Sequence, residues 1–293
     1  MRKTLTLFSL LAIPLFAVRV FDLCFFVDRA TGFVDEWVYY IHLGVGLIVV
    51  VLGMAVGNGT RRWLRRYGED IDSTNASLDR SSLPAGFCFF IAGVAVVAAS
   101  VGILFGMLQR GELPNGIINR EFFGIDELAR LYFWLLLVSA VQGIFVAFWF
   151  MLVGAWYFRG TGRFAGGRFM SVFVALWYYL RVMKDFVRQP VNPKNTTALV
   201  MIFGILILSL FYTKYAKAVS VDFPVREQPT LVAFGVMSFL WVFGLGAPTA
   251  LIIVETGDIS EILVLAADVF AAIAALAAVY ASLPAKDSMQ KDA

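Results

Sequence analysis

The sequence is poor in the residues that build metal and redox centres. It has 293 residues but only one histidine, His42, and two cysteines, Cys24 and Cys88. A lone imidazole cannot supply a multi-histidine metal site or paired haem ligands. Both cysteines lie inside apolar runs, where a thiol behaves as a small buried hydrophobic group. We therefore expect no metal and no cofactor.

Charged residues are also scarce, whereas apolar residues are abundant. They make up 15% and 60% of the chain, against averages of roughly 25% and 45–50% in soluble domains. The mean hydropathy of +0.80 is correspondingly high. This composition excludes a soluble globular protein and predicts an integral membrane protein. The net charge of +3 is small, with the basic residues between apolar runs, so we expect lipid rather than nucleic acid as a partner.

Sequence motifs of the common hydrolase and redox classes are missing. The chain has no Walker-type phosphate loop, no HExxH, no GxSxG and no CxxC. These motifs place nucleophiles, metal ligands or phosphate-binding backbone groups at fixed spacings. The sequence therefore favours a non-catalytic protein over an enzyme.

Eight apolar stretches have about the length that a bilayer core requires, roughly 20 residues. Within lipid, each satisfies its own backbone hydrogen bonds only as a helix. The fifth has a short uninterrupted apolar core, 169–180, so it would also suit an interfacial helix, and seven spans remain an alternative to eight. We predict an all-α polytopic transmembrane helix bundle, a single membrane domain over 1–293, with a polar tail at 286–293. The stretches are 4–27, 36–57, 83–108, 128–158, 168–187, 197–216, 230–254 and 259–283.

The distribution of lysine and arginine predicts the orientation. With eight spans and a cytoplasmic N-terminus, 15 of the 24 basic residues are cytoplasmic, and with seven spans 14 are. The N-terminus and the polar 58–82 loop are cytoplasmic in both arrangements. The loop begins with four arginines that either contact anionic lipid headgroups or act only as a positive-inside signal. They are Arg61, Arg62, Arg65 and Arg66.

A short similarity between spans one and five indicates an internal repeat. Val18-Arg19-Val20 in the first span matches Leu180-Arg181-Val182 in the fifth. Halves at 1–158 and 159–285 would each hold four helices, in the same orientation. Parallel repeats of this kind occur in some transporters.

Two pairs of opposite charges lie within predicted spans, where ionisable groups are costly. Arg19 and Asp22 are three residues apart, and Arg181 and Asp185 are four apart. Either spacing places both members on one helix face, so we predict two ion pairs. Alternatively, Arg19 and Arg181 line an anion-attracting vestibule, with two further basic residues. These are Lys184 and Arg188.

His42 and Asp268 are the other ionisable residues of interest inside spans. His42 is either a packing group or a group that handles protons. Asp268 lies about ten residues into the last span, among alanines that permit close helix packing. It is either an interhelical hydrogen-bonding group or a proton or cation site.

The seventh span has a Gly-Leu-Gly-Ala-Pro sequence near its centre. Proline removes a helix hydrogen bond and clashes with the preceding turn, so we predict a kink at Gly244, Gly246 and Pro248. Broken helices at this depth line substrate sites in transporters. The kink and Asp268 are therefore candidates for one substrate site.

Three segments carry a resemblance to a known group of proteins. They are Arg19-Val20-Phe21-Asp22 leading to Asp28-Arg29-Ala30-Thr31-Gly32-Phe33, Ala175-Leu176-Trp177-Tyr178-Tyr179-Leu180-Arg181, and Asp258-Ile259-Ser260-Glu261. Together they resemble uncharacterised polytopic membrane proteins of Firmicutes. The resemblance implies a bacterial cytoplasmic membrane protein and a fifth helix within the bundle, but it implies no activity and no functional residue.

Two functional hypotheses follow from these features. The first is a non-catalytic binding, sensory or assembly component of the cell membrane that contacts another membrane protein or a second copy of itself. The second is a secondary transporter or channel for a small solute or ion, using Asp268 and the kinked helix.

Overall fold

The computed structural model is an all-α bundle, as predicted. It describes residues 1–28, 33–66, 81–109, 126–160, 164, 167–188, 195–220, 225–256 and 259–283. Eight long helices run through these ranges, and the described part contains isolated β-bridges but no strands. The helices are α1 Arg2–Phe25, with a break at Leu11, α2 Glu36–Arg66, α3 Leu83–Gln109, α4 Asp126–Arg159, α5 Gly167–Arg188, α6 Thr196–Ser220, α7 225–256 and α8 Ile259–Ser282.

Seven of these helices, all except α5, are long and apolar enough to cross a membrane. Large apolar side chains such as Leu47, Phe87 and Phe148 are exposed on their outer surfaces. Exposed apolar area of this extent is unfavourable in water and favourable against lipid chains. The chain is therefore a multi-pass integral membrane protein.

The fifth helix runs from one end of the bundle to the other. Near its start, Ser171 forms a hydrogen bond with Ser220 at the end of α6. At its end, Arg188 forms an ion pair with Glu261 at the start of α8. It packs along α4 and α6 between these points. Thus α5 lies within the bundle and parallels its neighbours, rather than lying across one end.

The beginning of the chain and the end of α8 lie at the same end of the bundle. Arg2 Nη2 donates a hydrogen bond to the carbonyl oxygen of Leu283 at 2.9 Å. Beside it, Gln228 Nε2 donates to the carbonyl of Ser282 at 2.8 Å. We call this the Arg2 end and the opposite one the Arg188 end. Eight helices that each run along the bundle, an even number, account for this arrangement.

The first two helices are peripheral. In their most apolar windows, 22% of α1 and 28% of α2 is buried, against 50–61% for α4, α6, α7 and α8. Helix α1 packs on the middle of α7 and α2 on its first half, while α3 packs between α4 and α8. The two proposed repeat halves are thus in contact through α7 and α8. The internal duplication stays a prediction.

Helices α3 and α4 approach closely at glycines. A Cβ atom at Gly154 of α4 would lie 2.9 Å from the carbonyl oxygen of Gly86 in α3. One at Gly93 of α3 would lie 3.0 Å from the carbonyl of Ala147. Small residues permit such backbone contact, which drives helix association where lipid removes the hydrophobic driving force.

The second helix is longer than predicted, since it continues to Arg66 rather than ending near residue 57. The Thr60 hydroxyl donates to the carbonyl of Val56 at 2.9 Å, and Leu64 is buried. The change from apolar to basic sequence does not end the helix, because polar residues are compatible with helical structure and Leu64 is still buried against the protein. The beginning of the predicted 58–82 loop is therefore helical.

Candidate functional site

A buried ion pair joins α5 to α8. Arg181 Nη1 and Nη2 donate to Asp268 Oδ1 and Oδ2 at 2.5 and 2.7 Å. Only 5% and 4% of the two side chains is exposed. A pair with two parallel hydrogen bonds is among the strongest that side chains form. Asp268 is therefore an interhelical hydrogen-bonding group in this structure.

This pair differs from the one predicted within α5. Arg181 pairs with Asp268 of another helix, and Asp185 instead accepts from Lys184 Nζ at 2.9 Å. A carboxylate on a facing helix can meet the guanidinium with both oxygens in one plane, which gives the two-bond geometry found here. The partner lies 87 residues away in sequence, so local spacing gave no signal for it.

Aromatic side chains surround the Arg181–Asp268 pair. The guanidinium carbon of Arg181 lies 4.8 Å from the ring centroid of Trp177, within the range of a cation–π contact. Trp177 Nε1 in turn donates to the carbonyl of Ser139 in α4 at 2.9 Å. Nearby, the hydroxyl of Tyr178 is buried and has no partner among the described residues. The arginine is thus held from two sides.

A small cavity lies beside the pair, between α3, α4, α5 and α8. The volume in it that the centre of a water molecule can occupy is about 10 Å³, which is room for about one water. Its polar lining includes Ser100, Ser139, Arg181 and Lys184, and the rest is mainly apolar. The cavity is therefore suited to water or a small polar group.

Charges near the Arg188 end of α5 are balanced. Lys184 pairs with Asp185, and Arg188 with Glu261. Together with the Arg181–Asp268 pair, three cations thus face three carboxylates. The arrangement gives no net positive potential around these residues, and the anion-attracting vestibule stays a hypothesis without support from them.

A second buried cluster connects α1, α2 and α6. As predicted, Arg19 forms an ion pair with Asp22, and their side chains are 1% and 9% exposed. His42 Nε2 lies 2.7 Å from Asp22 Oδ2 and 3.0 Å from Arg19 Nη1. Arg19 Nη2 donates to the hydroxyl of Thr197 at 3.5 Å. Sequence spacing predicted the pair, but not its contacts with His42 and Thr197.

The seventh helix changes type where a kink was predicted. It is π-helical over Leu240–Gly246 and 3-10 helical over Ala247–Thr249. The Thr249 hydroxyl donates to the carbonyl of Gly246 at 2.6 Å, which satisfies an acceptor near the proline. A Cβ at Gly244 would lie 3.1 Å from Leu15 Cβ of α1. Gly244 therefore provides close packing with α1.

The remaining candidate residues lie on outer surfaces. Arg61, Arg62, Arg65 and Arg66 are exposed along the last turns of α2, and their contact with lipid headgroups stays a prediction. Cys24 is exposed, contrary to the expectation of burial, because α1 is peripheral. In the part of the chain that the structure describes, no three His, Cys, Asp or Glu residues are grouped as metal ligands would be.

Comparison of the chain with protein-family models, with curated proteins and with solved structures gives no match.

Proposed function

We propose that the protein is a non-catalytic binding, sensory or assembly component of a bacterial cytoplasmic membrane. The observation that carries this proposal is the state of Asp268, the residue best placed to move an ion. Both of its carboxylate oxygens accept hydrogen bonds from Arg181. A group that carries ions must exchange its partners, whereas this carboxylate is neutralised and held by a planar cation.

The packing around the pair supports a scaffold. Arg181 also contacts Trp177, which is hydrogen-bonded to α4. The pair therefore connects α8, through α5, to α4. Such a connection stabilises one arrangement of three helices, a property useful in a protein that presents surfaces to partners. The partners we propose are the lipid bilayer and either another membrane protein or a second copy of the chain.

The proposed orientation places the Arg2 end in the cytoplasm. With eight passes, the sequence assigns 15 of the 24 lysines and arginines to the cytoplasmic side, as the positive-inside rule requires. Four of them are the exposed arginines at the end of α2. The resemblance to Firmicutes membrane proteins supports the cytoplasmic membrane as the location.

A secondary transporter or channel is the second candidate. The cavity beside the Arg181–Asp268 pair favours it, because Ser100, Ser139 and Lys184 contribute polar atoms to the lining. A hydrated path to this cavity would allow a solute or ion to compete for the paired charges.

Cysteine labelling distinguishes the two candidates. Ala267 lines the cavity and is adjacent to Asp268, so Ala267→Cys probes the cavity while keeping the ion pair. In a background with Cys24 and Cys88 replaced by alanine, we expect a hydrophilic maleimide to leave position 267 unmodified. Labelling at 267 in the folded protein would instead favour the transporter.

Two further positions serve as controls and test the orientation. Arg61 and Asp28 are exposed at the Arg2 and Arg188 ends. A cysteine at 28 should react in intact cells, and one at 61 only after the cells are opened. The reverse pattern would contradict the proposed orientation.

A further inference from the structure

Arg19 is buried with one edge of its guanidinium group scarcely used. Its side chain is 1% exposed. Among the described residues, Nη1 contacts Asp22 and His42, whereas Nη2 reaches only the Thr197 hydroxyl, at 3.5 Å. Nε is buried and has no hydrogen-bond partner in that part of the chain. The polar contacts of this cation are therefore concentrated on one side.

The little-used edge has the geometry of an oxyanion receptor. The N–H groups on Nε and Nη2 of a guanidinium point in the same direction and form a fork that matches two oxygens of a carboxylate or phosphate. Leaving a buried donor unpaired is unfavourable. Thr197 contacts Nη2 and adds a hydroxyl that can donate or accept.

His42 supplies a site for a proton in the same cluster. Its Nε2 contacts Asp22 and Arg19, and its buried Nδ1 has no hydrogen-bond partner among the residues that the structure describes. Among the described groups, the charged residues facing the imidazole are Asp22 and Arg19 of α1. From α6, the polar neighbour of the cluster is the uncharged Thr197. The imidazole is thus a group that can change its charge in contact with a neutralised ion pair.

Charge balance couples the binding of an anion at Arg19 to the binding of a proton at His42. With a neutral imidazole, the opposite charges of Arg19 and Asp22 cancel, so a bound anion would leave an uncompensated negative charge in a buried position. Protonation of His42 adds the positive charge that balances it. An imidazole can bind a proton, so His42 can supply this charge.

The cluster lies near a surface from which a ligand could enter. Arg19 is six residues before Phe25, the last residue of α1, and His42 is six residues after Glu36, the first residue of α2. The His42 side chain remains 16% exposed.

The geometry points to a binding site at the junction of α1, α2 and α6 that takes an oxyanion together with one proton. The Nε and Nη2 edge of Arg19 binds a carboxylate or phosphate group, Thr197 contacts it, and His42 carries the proton. No covalent bond forms or breaks. This site is separate from the Arg181–Asp268 pair and adds a ligand class to the proposed function.

Binding of acetate and inorganic phosphate to the purified full-length protein tests the site. In detergent, with ionic strength held constant by chloride, we expect saturable thermal stabilisation by at least one of the two anions. The apparent affinity for acetate, which stays mostly ionised over this range, should be higher at pH 5.5 than at pH 7.5, because one histidine proton accompanies each anion; uptake of one proton changes the affinity by at most about tenfold per pH unit.

Three variants separate the contributions of the cluster. Arg19→Lys keeps the charge but lacks the fork, and Thr197→Val lacks the hydroxyl, so both should weaken binding at each pH. His42→Gln keeps a donor towards Asp22 but cannot take up a proton, and should remove the pH dependence. Lys217→Gln, at the Arg2 end, should behave as the wild type. Equal anion effects in the wild type and Arg19→Lys would overturn the proposal.

A final comparison identifies the source of the oxyanion. If a lipid phosphate is the natural ligand, phosphatidylglycerol added to delipidated protein should stabilise the wild type but not Arg19→Lys, and should compete with phosphate. If a free anion is the ligand, the lipid should affect both proteins equally while acetate or phosphate retains its specific effect. Absence of stabilisation by acetate, phosphate and lipid would mean that ordered water alone pairs with Arg19, and the proposal would fail.

Discussion

Replacement of Asp268 by asparagine is expected to destabilise the bundle by roughly 3–5 kcal/mol, the usual cost of removing one partner of a buried ion pair. The substitution leaves Arg181 buried with an uncompensated positive charge, since both of its short hydrogen bonds end on the aspartate. An asparagine has one carbonyl oxygen that can accept from Arg181, but its NH2 group is a donor and cannot accept from the guanidinium N–H groups. The midpoint of thermal unfolding in mild detergent measures the effect.

A double variant tests whether the loss is due to the unpaired charge. The double variant Arg181→Met, Asp268→Leu removes both charges and fills their space with apolar side chains. It should therefore recover much of the stability that Asp268→Asn loses. Glu227→Gln is the matched control. Glu227 accepts hydrogen bonds from Lys214 and Lys217 and its side chain is 20% exposed, so we expect a change within about 1 kcal/mol. A double variant less stable than Asp268→Asn would contradict this account.

Substitution of Gly154 by leucine is expected to separate α3 from α4. Its first added atom would lie 2.9 Å from the backbone oxygen of Gly86 and 3.2 Å from the backbone nitrogen of Phe90. Backbone atoms cannot rotate away as the end of a flexible side chain can, so the helices themselves must move. Overpacking typically costs up to about 3 kcal/mol, and we expect this variant to reach that value.

The same substitution at Gly44 provides the control. A Cβ atom there meets nothing within 4 Å, so Gly44→Leu should be at least as stable as the wild type because leucine has the higher helix propensity. The two variants are compared by thermal unfolding and by the monodisperse fraction in size-exclusion chromatography. If both variants lost stability equally, the α3–α4 contact would not be the cause.

Local features of the candidate sites were predictable from the sequence. Arg19 and Asp22 are one helical turn apart, so their pairing followed from spacing. The change of helix type in α7 falls at the predicted Gly244–Pro248 segment, because proline affects the turn that precedes it. The π-helical part, however, begins at Leu240, four residues before the first of these glycines.

Contacts between distant helices were not predictable in the same way. Asp185 offered Arg181 a partner at a favourable spacing, and the structure uses Asp268 instead. The meeting of His42 with Arg19 required α1 and α2 to approach each other at these residues, and the contact with Thr197 required α6 as well. Several helix arrangements are compatible with the same apolar spans, so composition does not select between such partners.

The sequence by itself determined that this protein lies in a lipid bilayer and that its secondary structure is helical. Apolar runs of bilayer length must satisfy their backbone hydrogen bonds internally, and only helices do so within one segment. The tertiary structure alone decided which charges neutralise one another, that α5 runs the length of the bundle, and that one edge of Arg19 remains scarcely used. Each of these depends on the relative positions of the helices. Several arrangements would bury similar apolar area, and close glycine contacts and interhelical hydrogen bonds select one of them.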